Sequence, residues 1–187
     1  MAFLVVYDAC VLYPAPVRDL LLRIAGTGLI RARWTDLILD ECFRSILSVR
    51  SDLSPAALER TRTLMNQAVP DCLIRGYESF VDGLSLPDPD DRHVLAAALR
   101  AGAQVIVTFN MKDFPEAALA PYGVEAKHPD EFVIDQIGLA PAAVVNVIIE
   151  QAQALRNPAR SVPDVLDTLR NCGLVQSVAK LRELFGT

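Results

Sequence analysis

The sequence predicts an α/β fold: a parallel sheet flanked by helices, followed by an all-helical carboxy-terminal extension. Three observations predict it. Two short, nearly all-apolar runs, Phe3–Tyr7 and Val105–Thr108, have the length and composition of buried parallel strands. Helical periodicity fills the space between them. Beyond Pro129 no further strand pattern occurs. Residues 1–128 are therefore expected to form one α/β domain, and residues 129–187 a helical appendage.

The elements follow in order. Phe3–Tyr7 stops at Asp8. Pro14 and Pro16 open a helix over Val17–Ala25, closed by the turn Gly26-Thr27-Gly28. Thr35 is the expected N-cap of a helix from Asp36 to about Val49, in which Leu37, Ile38, Cys42, Phe43, Ile46 and Leu47 recur at helical spacing. Ser54-Pro55, a cap followed by proline at the first helical position, starts a helix to about Ala68. Asp71–Ile74 reads as a short strand. Pro87-Asp88-Pro89-Asp90-Asp91 is a turn that launches a helix over Arg92–Ala101, ended by Gly102. A third strand is expected near Gly123–Lys127. In the extension, Gly138, Pro141, Pro158, Pro163 and Gly173 are expected to interrupt the helices.

Composition narrows the function. With 52% hydrophobic residues among 187, the chain can bury a substantial core. No apolar run approaches the roughly 20 residues needed to cross a bilayer. The amino terminus lacks the basic region of a signal peptide, so a cytoplasmic location is expected. Cys10, Cys42, Cys72 and Cys172 are scattered and read as reduced thiols, not as a zinc site. The net charge of −5 weighs against general nucleic-acid binding, because phosphate affinity comes mainly from Lys and Arg. That charge is uneven: through Arg62 there are eight basic and seven acidic residues, so the amino-terminal third is nearly balanced.

The acids are what need explaining. In an open α/β sheet, functional groups gather at the carboxyl ends of the parallel strands. Asp8 follows the first strand; Asn110 and Asp113 follow Thr108; Asp91 opens the intervening helix; Glu41 lies in an early helix. Two charges about 5 Å apart repel by roughly 3 kcal/mol at an effective dielectric of about 20. A cluster of this kind either raises its pKa values or recruits a cation, and an oxygen-only donor set favours Mg²⁺ or Mn²⁺. Each acid also has a plainer reading. Asp90 and Asp91 can cap a helix, Glu41 can pair with Arg44, and Asp113 can be a loop residue or the next cap. His93, beside the cluster, reads as a helix-surface residue. No G-x-S-x-G elbow, Walker loop or dinucleotide fingerprint is present.

Val6-Tyr7-Asp8-Ala9-Cys10-Val11-Leu12 resembles the opening of PIN domains. Asp91-Arg92-His93-Val94-Leu95-Ala96-Ala97-Ala98-Leu99 is similar to that family's Asp-led, alanine-rich helix. Val105–Phe114 resembles its strand ending in Thr, followed by Asn-x-x-Asp-Phe. Glu41 stands where the family has a helical Glu. The resemblance covers residues 1–128 and implies a PIN-like fold and a metal-dependent endoribonuclease like the VapC toxins. It implies Mg²⁺ or Mn²⁺ held by Asp8, Glu41, Asp91 and Asp113, with these as the catalytic residues. Thr108, Asn110, Asp88 and Asp90 would be supporting residues, with Arg92 and Lys112 toward substrate. It also implies an RNA substrate, products with a 5′-phosphate and a 3′-hydroxyl, a small antitoxin partner and homodimerisation.

One departure stands out: many PIN domains carry an acid two residues after the Thr, where this chain has Asn110, so the fourth carboxylate is expected at Asp113. Two other readings remain at this stage. One is a non-catalytic PIN-fold binding protein. The other is an Asp-nucleophile phosphotransferase, which normally wants a second Asp where Cys10 stands.

Overall fold

The computed structural model describes residues 3–186. Met1 and Ala2, on which the signal-peptide reading partly rests, and Thr187, the last residue of the expected extension, lie outside the described residues. In chain order the elements are β1 (Phe3–Tyr7), α1 (Ala9–Leu12), α2 (Ala15–Gly26), β2 (Ile30–Arg33), α3 (Asp36–Val49), α4 (Pro55–Ala68), α5 (Glu78–Val81), α6 (Arg92–Ala101), β3 (Val105–Val107), α7 (Glu116–Leu119), β4 (Glu125–Lys127), α8 (Pro129–Leu139), α9 (Pro141–Ala154), α10 (Val162–Asn171) and α11 (Val175–Phe185).

The four strands form one wholly parallel sheet in the order β2-β1-β3-β4. The chain leaves β1 toward β2 on one side, then crosses back to β3 and β4 on the other. The direction of winding therefore reverses between β1 and β3, and the crevice beyond their carboxyl ends is the natural place for a site. Asp8 follows β1, and its N–H continues the ladder by donating to Val107 O at 3.1 Å.

Local sequence explains the helices that frame this crevice. Thr35 accepts from Ile38 N at 3.0 Å and caps α3, whose Ile38, Leu39, Cys42, Phe43 and Ile46 face the core. Ser54 caps α4 through Ala57 N. Arg62 of α4 reaches Asp36 and Asp40 of α3 and lies 5.4 Å over the Phe43 ring, tying the two helices together. In α6 residues 93–98 are all buried, and the run of alanines lets the helix lie close to the sheet. Gly102, at φ 68°, ends it, and Ala103 N bonds back to Ala98 O at 2.9 Å.

Several expected boundaries shift. The helix expected at Val17 begins at Ala15. Asp71–Ile74 is not a strand but one parallel bridge, Trp34 with Leu73, because Asp71 turns the backbone to φ 56° immediately before it. The strand expected from Gly123 starts at Glu125, since Gly123 (φ 67°) still ends the preceding turn. Gly138 and Pro163 do not interrupt helices: Gly138 lies inside α8 and Pro163 in the first turn of α10, where its missing N–H costs nothing. β2 is an element with no counterpart in the sequence reading.

The extension packs on the sheet domain and is not a separate tail. Tyr7 stacks on Trp34 with ring centroids 6.4 Å apart and meets Phe132 of α8 edge-on at 6.1 Å. Gln151 of α9 donates to Pro16 O at 3.0 Å. Asp130 of α8 is buried, and its carboxylate accepts from Gln176 N, Ser177 N and Ser177 Oγ at 2.9, 2.8 and 2.6 Å. It thus caps α11, which has no side-chain cap of its own.

Candidate active site

At the switch between β1 and β3, Asp8, Glu41, Asp91 and Asn110 line one cavity of about 330 Å³, with Ala9, Cys10, Tyr13, Cys42 and Ser45 completing its wall. They come from four places in the chain: the end of β1, the middle of α3, the turn before α6 and the loop after β3. A larger concavity of about 1070 Å³ lies between α2, α4 and the extension, but its lining includes no comparable set of acids.

Asp8 is the most constrained. It is only 4% exposed. Its Oδ1 accepts from Ala9 N at 2.7 Å, and its Oδ2 from Thr108 Oγ1 at 2.8 Å and from Cys10 Sγ at 3.0 Å. Burial, and then the Asp8 charge, push the Cys10 thiol up to about 12, so it stays protonated and donates. Thr108 is fully buried, and its hydroxyl also accepts from Asn110 N at 3.0 Å. One hydroxyl thereby links the acid after β1 to the loop after β3.

Asp91 is half-buried and makes no capping hydrogen bond. Burial pushes its carboxyl up to about 6, and the negative charges of Asp8, Asp88 and Asp113 add to the rise, partly offset by His93. The capping that could have explained it belongs to Asp88, which accepts from Asp90 N at 2.9 Å. Glu41 does not pair with Arg44 in the hydrogen bonds and ion pairs of the described residues. Its Oε1 lies 3.0 Å from His93 Nε2, off the line a hydrogen bond requires, so the contact is an ion pair when the imidazole is protonated.

The remaining expected residues are placed around this core. Asp88 and Asp90 are exposed on the turn and do not line the cavity. The wall after β3 is formed by Asn110. Asp113 stands farther along the loop, its N–H donating to Asn110 O at 3.0 Å, and its charge is felt at Asp91. Arg92 Nε donates to Pro89 O at 2.8 Å and braces the acidic turn. Lys112 is exposed on the loop after β3 and does not line the cavity. His93 is a correction: it is 6% exposed and not a surface residue, because residues 93–98 of α6 are all buried and Glu41 of α3 lies against its imidazole. Cys10, Tyr13 and Ser45 were not singled out for this cavity. Cys10 lies in, and Tyr13 just after, the four-residue helix that follows Asp8, which carries no periodic pattern of its own.

The chain matches the family model for the PIN domain over residues 4–112, more than half its length. The chain belongs to the PIN-domain family. Within this PIN-domain protein, residues 129–183 match a second family model, described as the VapC50 C-terminal domain. Among curated proteins, Putative ribonuclease VapC50 of Mycobacterium tuberculosis (strain ATCC 25618 / H37Rv) is 46% identical over 95 residues, which is 51% of this chain and 56% of that protein. The chain thus spans about half the length of the curated relative it matches. No solved structure matches.

The donor chemistry of this PIN domain's cavity suits a hard divalent cation: three carboxylates and an amide oxygen, with one carboxyl already raised by burial and, after it, by neighbouring negative charge. Among the described residues no three His, Cys, Asp or Glu side chains are gathered tightly enough to form a ready-made cage. A divalent cation that keeps several waters and takes only one or two carboxylates fits such an open arrangement better than one that needs a closed tetrahedral cage. Among the described residues no helix is long and apolar enough to cross a membrane.

Proposed function

We propose that this protein is a divalent-metal-dependent endoribonuclease, the toxin of a VapC-type toxin–antitoxin pair, with its nuclease domain in residues 1–128. One observation carries the reading: Asp8, Glu41, Asp91 and Asn110, from four separate segments, line a single cavity at the β1/β3 switch point. The match to a ribonuclease-named relative over half its length supports it.

In this reading Asp8 and Asp91 hold Mg²⁺ or Mn²⁺, with Glu41 and Asn110 completing the oxygen donors and Asp113 adding negative charge from the loop. A bound metal would supply Lewis-acid polarisation of the phosphate and activation of water. The protein's residues do the rest. Thr108 and Cys10 donate to one Asp8 oxygen and so leave the carboxylate a fixed direction. His93 holds Glu41 at the cavity wall. Arg92 keeps the Asp88–Asp91 turn in place, and Lys112 offers a cation to the RNA backbone. Products carry a 5′-phosphate and a 3′-hydroxyl. A small antitoxin would hold the toxin inactive, and the chain would form homodimers in the cytoplasm.

An Asp8 nucleophile is disfavoured, since both carboxylate oxygens accept hydrogen bonds and the residue two positions on is a protonated thiol. The test is cleavage of a long single-stranded RNA by the purified chain. Activity lost in EDTA and restored by Mn²⁺ or Mg²⁺ is expected. Activity that persists in EDTA, or no cleavage with either metal, contradicts the reading.

A further inference from the structure

The extension reaches the cavity loop at Phe109. Phe109 sits between Thr108, which binds Asp8, and Asn110, which lines the cavity. Its backbone N–H donates to Cys10 Sγ at 3.2 Å. Its ring leaves the loop and meets His128, the last residue of the nuclease domain and the N-cap of α8, and Gly173 of the extension. The His128 imidazole lies edge-on to it, with centroids 5.1 Å apart and planes at 77°. The ring edge also approaches Gly173, in the turn between α10 and α11. A Cβ built there would be 3.6 Å from Phe109 Cε1. Gly173 has φ 97°, a conformation that glycine adopts without strain.

Both contacts are tied to one buried residue, Asp130, the first through its backbone N–H and the second through its carboxylate. His128 Nδ1 accepts from Asp130 N at 3.2 Å, which starts α8. The Asp130 side chain accepts the three donors at the start of α11, immediately after the Gly173 turn. Asp130 therefore ties together the two residues that the Phe109 ring meets.

We propose that the carboxy-terminal extension is a working part of the cleavage site, with Phe109 as a positioning residue. Gripped by His128 and Gly173, it sets the Thr108–Asn110 segment against Asp8, and Asp130 holds the grip closed. This rests on the nuclease reading for its effect on rate, but not for its effect on the loop. A displacement of about 1 Å in a reacting group can cost on the order of 100-fold in rate. Losing the grip should therefore lower kcat while leaving RNA affinity nearly unchanged.

The experiment uses the full chain and two readouts: steady-state RNA cleavage with Mn²⁺, and amide hydrogen exchange of residues 108–113. Phe109→Ala is expected to lower kcat about 10- to 100-fold with KM within about twofold. Phe109→Tyr, which keeps the ring edge, restores most of it. Asp130→Asn, which touches neither the cavity nor the loop, lowers kcat in the same direction and raises exchange at 108–113. Val147→Ala, in the buried face of α9, serves as the stability control and keeps the wild-type kcat.

The proposal is overturned if Phe109→Ala and Asp130→Asn keep the wild-type kcat while the wild type cleaves RNA. It is equally overturned if Val147→Ala loses as much as they do, since the loss is then general loosening. If the wild type cleaves no RNA, the nuclease reading fails by itself. The exchange arm then still decides the grip: unchanged exchange at 108–113 in Asp130→Asn removes it.

Discussion

Asp130 and Asp91 are both carboxylates at the start of a helix, and the molecule treats them in opposite ways. Asp130, in the extension, is 7% exposed and receives two backbone N–H groups and a hydroxyl. Its charge is fully answered by donors, and its effect is to join α8 to α11. Asp91, at the strand ends, is more open but receives no capping donor and faces Asp8, Asp88 and Asp113. Donors convert a buried acid into a structural tie. Their absence, in a cavity with other acids, leaves a charge that only a cation or a proton can relieve.

The widest gap between the two acids should appear in catalysis. Asp91→Asn and Asp8→Asn should each reduce RNA cleavage by roughly 10²- to 10³-fold, the scale of several kcal/mol of transition-state stabilisation, read in single-turnover assays with Mn²⁺. In stability the order reverses. Asp130→Ala leaves three donors at the start of α11 without their acceptor and should cost about 3 kcal/mol in urea denaturation.

Asp91→Asn should instead stabilise the protein in chelator at pH 8, by about 1–2 kcal/mol after allowance for solvent screening. The sign follows from the raised carboxyl. Its value rises from the ordinary 3.8 to about 6 in the folded state, so the folded chain holds the proton more tightly. Asp91 therefore favours folding below about pH 4, and that contribution is lost as pH rises through about 6. The gain from Asp91→Asn should accordingly disappear in acid. A destabilised Asp91→Asn at pH 8 would mean that the acid has donors after all. The smallest effects belong to Asp88→Asn and Asp90→Asn, exposed on the same turn, which should change cleavage by less than about threefold.

Much of this contrast was legible from residue patterns. The two apolar runs, the Thr35 and Ser54-Pro55 caps and Gly102 located the helices and strands that carry Asp8, Glu41 and Asp91. β2 was not, because Ile30-Arg31-Ala32-Arg33 is a four-residue edge strand with one arginine exposed and the other half-buried. Its apolar signal is only two residues long. Asp130 and His93 escaped for a different reason. The partners of Asp130 lie 46 and 47 residues away, and Glu41 lies 52 positions before His93. No local periodicity encodes such contacts. The preference for Asn110 over Asp113 at the cavity wall was likewise a matter of loop geometry, set by the hydrogen bond from Asn110 N to Thr108 Oγ1.

The central claim is that the unanswered acids at the strand ends, and not acids in general, form a metal site. Calorimetric titration of Mn²⁺ into the wild type, Asp8→Asn, Asp91→Asn and Asp88→Asn, each shown to be folded, tests it most directly. The expected result is binding by the wild type and Asp88→Asn, with affinity lost in Asp8→Asn and Asp91→Asn. Equal binding by all four, or a loss in Asp88→Asn as large as in Asp91→Asn, would contradict it.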